Sequence, residues 1–249
     1  MTKPHILVIN PNTSEEITAS VERLAMDEAR GDATIEAVTA PFGARYISSR
    51  VSFTIAGHAV LDAYAGALVG AARRPDAAIV GCFGDPGIDG LREVAGVPVL
   101  GFAESGMLAA AAEPGSFVVA TIGTTWRPIL EELARRSGLA DRLAGLIFID
   151  QWVRDTTVAA AEIERAARQL GAARVVIGGT GLIPRLPKLA EGIGLPVIDP
   201  HRTTIREAIR RVAEAGPEVA TAAPAGQFRG LSPQLQRMLG ETRTADVHG

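Results

Sequence analysis

Short apolar runs alternate with segments of helical periodicity along most of the chain. Eight of these runs have the length and composition of buried strands: residues 5–10, 34–38, 77–81, 97–101, 117–121, 146–149, 174–178 and 195–198. Strands that alternate with helices form parallel sheets with right-handed crossovers, and helices on both faces of such a sheet explain strands that are apolar throughout. The pattern therefore predicts an α/β fold.

The segments between the strands indicate where several helices begin and end. Thr13 and Glu16 have the spacing of a capping box ahead of the first helix. Other helices are predicted over residues 56–73 and near residues 157–170, where Gly171 is placed to end the helix.

Two stretches of the chain repeat one another. Ala77-Ala-Ile-Val-Gly-Cys-Phe-Gly84 is similar to Ala173-Arg-Val-Val-Ile-Gly-Gly-Thr-Gly181, with one extra residue in the second copy. The repeat predicts two similar lobes, each a parallel sheet flanked by helices, related by a pseudo-two-fold axis. Residues 1–100 with 200–220 are expected to form the first lobe and residues 101–199 the second. Because ligands of open α/β sheets bind beyond the carboxyl ends of the strands, we expect the active site in the cleft between the lobes.

Residues 221–249 are richer in Gly, Pro, Gln and charge than the lobes, and form a C-terminal tail in this division. Within the tail, Leu235, Met238 and Leu239 have the spacing of one apolar helix face. Two interpretations are open: a partly ordered tail, or a helix that docks onto a neighbouring subunit.

The composition limits the partners and cofactors of the chain. Of 249 residues, 47% are hydrophobic and 4% aromatic, and the net charge is -3. The sequence has no cluster of Lys and Arg that would attract nucleic acid or an anionic membrane. A small-molecule substrate is therefore the expected partner. The single cysteine and the four scattered histidines suggest neither a disulfide nor a metal site. We expect no cofactor, and the short first apolar run, unlike a signal peptide, indicates a cytoplasmic protein.

Cys82 is the residue with the clearest chemical potential. It follows a buried-type strand and precedes Phe83-Gly-Asp-Pro-Gly87, in which Pro86 suits the first turn of a helix. A thiol at a helix N-terminus has a lowered pKa, which would make Cys82 reactive. The alternative is an inert small hydrophobic residue, the usual state of a cysteine in an apolar strand.

Four segments together resemble the hydantoin racemase branch of the Asp/Glu/hydantoin racemase superfamily. They are Val8-Ile-Asn-Pro-Asn-Thr-Ser14, Pro41-Phe-Gly43, Gly81-Cys-Phe-Gly-Asp-Pro-Gly87 and Val97-Pro-Val-Leu-Gly-Phe-Ala-Glu104. The resemblance extends over residues 5–215 and leaves the tail uncovered. It implies a cofactor-independent racemase or epimerase, active at a carbon next to a carbonyl of a small hydantoin-like or amino-acid-derived substrate. It also implies a homo-oligomer.

The resemblance implies a mechanism with two thiols, one from each lobe, which face the two sides of the substrate's stereocentre. Cys82 is the first thiol, whereas the repeat places Gly179 at the position of the second. Three interpretations follow: a one-thiol racemase in which water or Thr180 replaces the second acid, a one-thiol decarboxylase of substituted malonates, or a non-catalytic relative that binds a small ligand.

Other residues suit substrate binding better than proton transfer. Donors from the backbone and from threonine hydroxyls are needed to stabilise the enolate oxygen, although the same residues also serve as caps and turns. The predicted substrate-binding residues are Asn12, Thr13, Phe42, Phe83, Gly84, Thr124, Thr125, Gly179, Thr180 and Gly181. Asp85, Glu104 and His201 are possible auxiliary bases, ranked below Cys82.

Overall fold

The computed structural model describes residues 2–149, 155–214 and 228–241, and its strands form two parallel four-stranded sheets. The first sheet has the order β2-β1-β3-β4, with β1 at His5–Asn10, β2 at Thr34–Thr39, β3 at Ala77–Val80 and β4 at Val99–Gly101. The second has the order β6-β5-β7-β8, with β5 at Phe117–Ile122, β6 at Leu143–Ile149, β7 at Arg174–Ile177 and β8 at Val197–Ile198. The identical strand order confirms the predicted fold class of two similar α/β lobes.

Helices flank both sheets. In chain order they are α1 (Glu15–Ala29), α2 (Arg50–Leu68), α3 (Ile88–Ala95), α4 (Phe102–Ala112), α5 (Arg127–Arg136), α6 (Thr156–Gln169), α7 (Leu186–Glu191), α8 (Pro200–Glu214) and α9 (Pro233–Glu241). Two short 3-10 turns, Thr124–Trp126 and Thr180–Arg185, follow β5 and β7. Helix α4 connects the two sheets, and α8 returns to pack against α1 and α4.

Equivalent hydrogen bonds fix the correspondence between the lobes. The N–H of Gly81 donates to the carbonyl of Ile9 at 2.7 Å, and the N–H of Gly178 donates to the carbonyl of Ala120 at 3.0 Å. Both bonds run from the end of the third strand of a lobe to its first strand. Cys82 and Gly179, which follow these glycines, therefore occupy corresponding positions.

One apolar cluster extends across both lobes. It contains Ile79 of the first sheet, Phe117 and Val176 of the second, and Phe102 and Met107 of the connecting helix α4, all buried. Because burial of each large apolar side chain contributes about 1.5–3 kcal/mol, this common core holds the lobes together.

Two local predictions were wrong. The N-cap of α1 is Ser14 rather than Thr13, and the Ser14 side chain makes no capping hydrogen bond. The side chain of Asn12 accepts the Ser14 N–H at 2.9 Å and holds the turn ahead of the helix. Pro86 lies before the first turn of α3, whose N-cap is the left-handed Gly87.

The described part of the tail packs against its own chain. Leu235 and Met238 of α9 are buried in the apolar cluster that contains Tyr64 of α2. The carboxylate of Asp62 in α2 accepts hydrogen bonds from the Ser232 hydroxyl and, at 3.3 Å, from the Gln234 amide. This helix thus covers the first lobe of the same chain, whereas residues 215–227 and 242–249 lie outside the described residues.

Helix α2 is long and apolar enough to cross a membrane by length and composition, with a mean hydropathy of 1.2. A core helix passes the same test, and in α2 Ala59, Val60 and Tyr64 are buried.

Candidate active site

A cavity of about 750 Å³ lies between the lobes at the carboxyl ends of the strands. The first lobe contributes residues from three segments: Asn12, Tyr46, Ile47, Ser48, Cys82 and Phe83. The second lobe contributes a larger set: Thr121, Ile122, Gly123, Thr124, Thr125, Trp126, Phe148, Ile149, Gly179, Thr180, Gly181 and Leu182. A ligand in this cavity would contact both lobes at once.

Most of the predicted site residues meet in this cavity. Cys82 lines it together with seven of the predicted substrate-binding residues: Asn12, Phe83, Thr124, Thr125, Gly179, Thr180 and Gly181. Cys82 and Gly179, expected to face one another across the cleft, both line it.

Thr13, Phe42 and Gly84 are not among the residues that line the cavity. The Phe42 ring packs edge-on against His58, with ring centroids 5.0 Å apart. Gly84 is covered by Trp126, since a Cβ on Gly84 would lie 2.6 Å from the indole ring. The N–H of Thr13 donates to the carbonyl of Ala44 at 3.1 Å and holds the turn instead.

The thiol of Cys82 lies in an apolar corner of the cavity. The residue is 6% exposed and packs with Ile47, Ala56, Phe53 and Trp126. Burial raises the pKa of the Cys82 thiol, and the charge of Asp85 raises it further. The expectation of a lowered pKa was therefore wrong, because helix α3 begins only at Ile88 and the thiol is not at its N-terminus.

Asp85 ties the loop that carries Cys82 to helix α4. It adopts a left-handed conformation with φ 55°, and its buried carboxylate accepts the N–H groups of Ala103 at 3.0 Å and Glu104 at 2.7 Å. A Cβ at Gly101 would overlap this carboxylate. Burial raises the pKa of Asp85 to about 7, although the two backbone N–H groups act in the opposite direction.

The other auxiliary-base candidates also have structural partners outside the cavity. Glu104 forms an ion pair with Arg92. His201 is fully buried, contacts the Asp199 carboxylate through Nδ1 at 3.0 Å and packs edge-on against Phe102. Burial raises the pKa of Asp199, but the hydrogen bond and charge of His201 and the backbone N–H groups of His201 and Arg202 together outweigh it, so the pKa is lowered overall. None of the three candidates lines the cavity.

Aromatic side chains interlock the two lobes around the cavity. The Phe83 ring of the first lobe occupies the space where Gly178 of the second lobe has no side chain. In return, the Trp126 ring of the second lobe lies over Gly84 of the first. Phe53 meets the Trp126 ring edge-on, with centroids 6.5 Å apart. The glycines around Cys82 and Gly179 therefore allow close contact between the lobes.

Two turns of the second lobe present backbone donors to the cavity. Each begins at a glycine with positive φ, 87° at Gly123 and 123° at Gly179. The N–H of Trp126 donates to the carbonyl of Gly123 at 3.4 Å, and the N–H of Leu182 donates to the carbonyl of Gly179 at 2.8 Å. The two N–H groups ahead of each, at residues 124–125 and 180–181, remain for a ligand, as at the start of any helical turn.

Charged side chains are absent from the described lining of the cavity, in which Cys82 and Tyr46 are the ionisable groups. The apolar part of the lining includes Ile122, Phe148 and Leu182. No group of three His, Cys, Asp or Glu side chains within the described ranges is placed to hold a metal ion.

Sequence reasoning missed several lining residues, among them Tyr46, Thr121, Trp126 and Phe148. Thr121 and Phe148 could have been found from their positions at the carboxyl ends of β5 and β6. Tyr46 lies in an irregular segment without a periodic signal.

Comparisons with known proteins identify the family of the chain. The family model of Asp/Glu/hydantoin racemases matches residues 6–208. A hydantoin racemase from Paenarthrobacter aurescens is 31% identical over 221 residues, which is 84% of this chain and 89% of that protein. A hydantoin racemase from Pseudomonas sp. (strain NS671) is 30% identical over 202 residues, 78% of this chain and 80% of that protein.

The solved structure of allantoin racemase from Klebsiella pneumoniae superimposes with a TM-score of 0.82 at 27% identity, covering 95% of this chain and 99% of that chain. The family match spans residues 6–208, a range that includes both sheets and the lining residues named above. The chain therefore belongs to the Asp/Glu/hydantoin racemase family and is an isomerase of the racemase type.

Proposed function

We propose that the protein racemises 5-substituted hydantoins, or closely similar neutral cyclic amides with an apolar substituent, and that Cys82 is the group that moves the proton. The proposal depends on one observation. The described lining of the cavity contains no charged side chain, and its ionisable groups are the Cys82 thiol and the Tyr46 phenol.

The uncharged lining favours a neutral substrate. A buried carboxylate costs several kcal/mol unless a cation or a set of donors compensates it. The described lining contains no Lys, Arg or His. Amide carbonyls, in contrast, are suited to the N–H groups of the two second-lobe turns and to the hydroxyls of Thr124 and Thr125.

The apolar wall favours a hydrophobic substituent on the ring. Five apolar side chains of the second lobe line the cavity: Ile122, Trp126, Phe148, Ile149 and Leu182. Covering an apolar substituent with these side chains contributes about 25 cal/mol per Å² of area removed from water. A 5-benzyl or 5-isobutyl group gains from this wall, whereas the polar ureido group of allantoin does not.

The chemical step is proton abstraction next to a carbonyl. The Cys82 thiolate takes the proton from the ring carbon, so that the C–H bond breaks, an S–H bond forms and the electron pair moves onto the carbonyl oxygen. Donors at residues 124–125 and 180–181 stabilise the resulting enolate oxygen. Burial raises the pKa of the Cys82 thiol, so the thiolate is a stronger base once it forms, although a smaller fraction of the protein carries it.

A substrate panel tests the proposal. The wild-type protein is incubated separately with the enantiomers of 5-benzylhydantoin, allantoin and aspartate, and loss of optical purity is followed by chiral chromatography. We expect the highest kcat/KM for 5-benzylhydantoin and no turnover of aspartate. Preference for aspartate or allantoin would contradict the assigned substrate class.

The single thiol also favours a second candidate, decarboxylation of substituted malonates, in which one thiol protonates the enolate left by loss of carbon dioxide. The lack of a cationic side chain in the described lining disfavours such a dianionic substrate. Carbon dioxide release from phenylmalonate, without racemisation of any hydantoin, would establish this alternative.

A further inference from the structure

A threonine hydroxyl lies beside the place of the missing second thiol. Gly179 corresponds to Cys82, and an ideal Cβ built on Gly179 would lie 3.4 Å from the hydroxyl oxygen of Thr121. Its other neighbour within 4 Å is a methyl group of Leu182, at 3.9 Å. Because Gly179 has no side chain, a gap lies next to Thr121. Gly179, Thr121 and Leu182 all line the cavity.

The Thr121 hydroxyl has no hydrogen-bond partner among the described residues, unlike the Asn10 amide, which occupies the corresponding position in the first lobe. The strand pairing relates Thr121 to Asn10, which follow Ala120 and Ile9 respectively. The Asn10 amide donates to Asn12, Ser14 and Thr18 at 2.9–3.0 Å, so it holds the first-lobe turn.

Thr121 is only 3% exposed, yet its hydroxyl forms no hydrogen bond with any residue that the structure describes. The hydroxyl oxygen is not sealed from solvent, so a polar molecule in the cavity can hydrogen-bond to it as donor or acceptor. The cavity is where such a molecule can reach it.

We propose that Thr121 binds the water molecule that exchanges a proton with the far face of the substrate, in place of the thiol that Gly179 cannot supply. The proposal rests on the proposed function, since it assigns the second half of the same racemisation. A water molecule occupies about 30 Å³ and fits where a cysteine side chain is missing, with the threonine hydroxyl and the substrate as its polar neighbours.

The Cys82 thiolate removes the proton from the near face and becomes a thiol, and the electron pair moves onto the carbonyl oxygen. The water bound to Thr121 then gives a proton to the ring carbon from the far face, which re-forms a C–H bond of opposite configuration and leaves hydroxide. The hydroxide takes up the thiol proton through solvent, which restores water and thiolate.

The two proton transfers have unequal rates in this scheme. Return of a proton from the Cys82 thiol to the near face regenerates the starting enantiomer with solvent hydrogen, and a thiol is a much stronger acid than water. The enantiomer whose hydrogen faces Cys82 should therefore take up deuterium faster than it inverts.

Two substitutions separate the role of the hydroxyl from that of the methyl group. Thr121→Val keeps the shape and removes the hydroxyl, whereas Thr121→Ser keeps the hydroxyl. Thr204→Val is a matched control, because Thr204 is also buried and its hydroxyl donates to the Pro200 carbonyl of α8, away from the cavity. Inversion and deuterium uptake of each 5-benzylhydantoin enantiomer are measured in the same D₂O sample.

We expect Thr121→Val to lower the ratio of inversion to exchange by about tenfold or more, given that a positioned proton donor contributes about a hundredfold in typical enzymes. Thr121→Ser and Thr204→Val should keep the wild-type ratio. An unchanged ratio in Thr121→Val, or equal loss of inversion and exchange, would overturn the role of Thr121 and leave the proposed function standing. Absence of any exchange by the wild type would instead refute the proposed function itself.

Discussion

The ring of Phe83 fills the space that a side chain on Gly178 would need, so the loop after β3 in one lobe packs directly on the loop after β7 in the other. Both residues adjoin the pair Cys82 and Gly179 that defines the candidate active site. The distance between the lobes at the cavity is therefore set by a contact that only glycine permits.

Gly178→Ala should destabilise the protein by about 1–3 kcal/mol, because the new methyl group overlaps the Phe83 ring and overpacking has costs of this size. Denaturant unfolding measures the change. Gly66→Ala in helix α2 is the control, since a Cβ there meets nothing within 4 Å, and we expect it to be neutral or slightly stabilising. Equal stability of the two variants would contradict the proposed packing between the lobes.

Gly179→Cys should restore an acid on the far face, at the cost of backbone strain. The φ of 123° at Gly179 is unfavourable for any other residue, and we expect a loss of about 1–3 kcal/mol in stability. The Cβ itself has room, so the ratio of inversion to deuterium exchange should rise. Gly179→Ala carries the same strain without a thiol and should not raise the ratio. A rise in both variants would show that the thiol is not responsible.

Asp85→Asn should alter both catalysis and the dependence of stability on pH. Burial raises the pKa of Asp85 to about 7, so the folded protein holds a proton that the unfolded chain releases near pH 4. Stability from this group is present below pH 4 and is lost as the pH rises through 7, and the variant should lack this decline. Unfolding measured at pH 4–8 in both proteins provides the test; parallel curves would contradict it.

The same substitution should lower kcat, because Asp85 accepts the Ala103 and Glu104 N–H groups on different oxygens, and asparagine presents an NH₂ donor in place of one of them. Asp62→Asn changes an equally buried carboxylate that bonds to the α9 segment instead. We expect kcat of this control to remain at the wild-type value. A matching loss of kcat in both variants would indicate a general effect on the fold.

Alkylation of Cys82 should report a raised thiol pKa. Burial and the Asp85 charge both disfavour the thiolate. The rate of reaction with iodoacetamide in the ligand-free protein should therefore keep increasing with pH beyond about 8.5, the ordinary value for cysteine. A rate that reaches a plateau at or below pH 8.5 would contradict the raised pKa and would show that groups near Cys82 stabilise the thiolate.

The repeat in the sequence was sufficient to predict the two lobes, the cleft and the correspondence of Cys82 with Gly179, because a repeated strand and its following loop fold alike. The thiol pKa was not predictable, since it depends on burial by Phe53 and Trp126, which are distant in sequence. The end of strand β5 indicated where Thr121 lies, but the role proposed for its hydroxyl depends on its distance from Gly179, which the sequence does not contain. The contact of Trp126 with Gly84 likewise depends on how the lobes pack.

The most direct test of the account is deuterium uptake at the ring carbon of 5-benzylhydantoin in D₂O, measured by mass spectrometry for the wild type and for Cys82→Ala. The alanine removes the sulfur from a buried strand end with little change in volume, so the fold should be retained, as circular dichroism can verify. We expect rapid uptake with the wild type and none above the uncatalysed rate with Cys82→Ala. Uptake at the wild-type rate in the alanine variant would contradict this expectation.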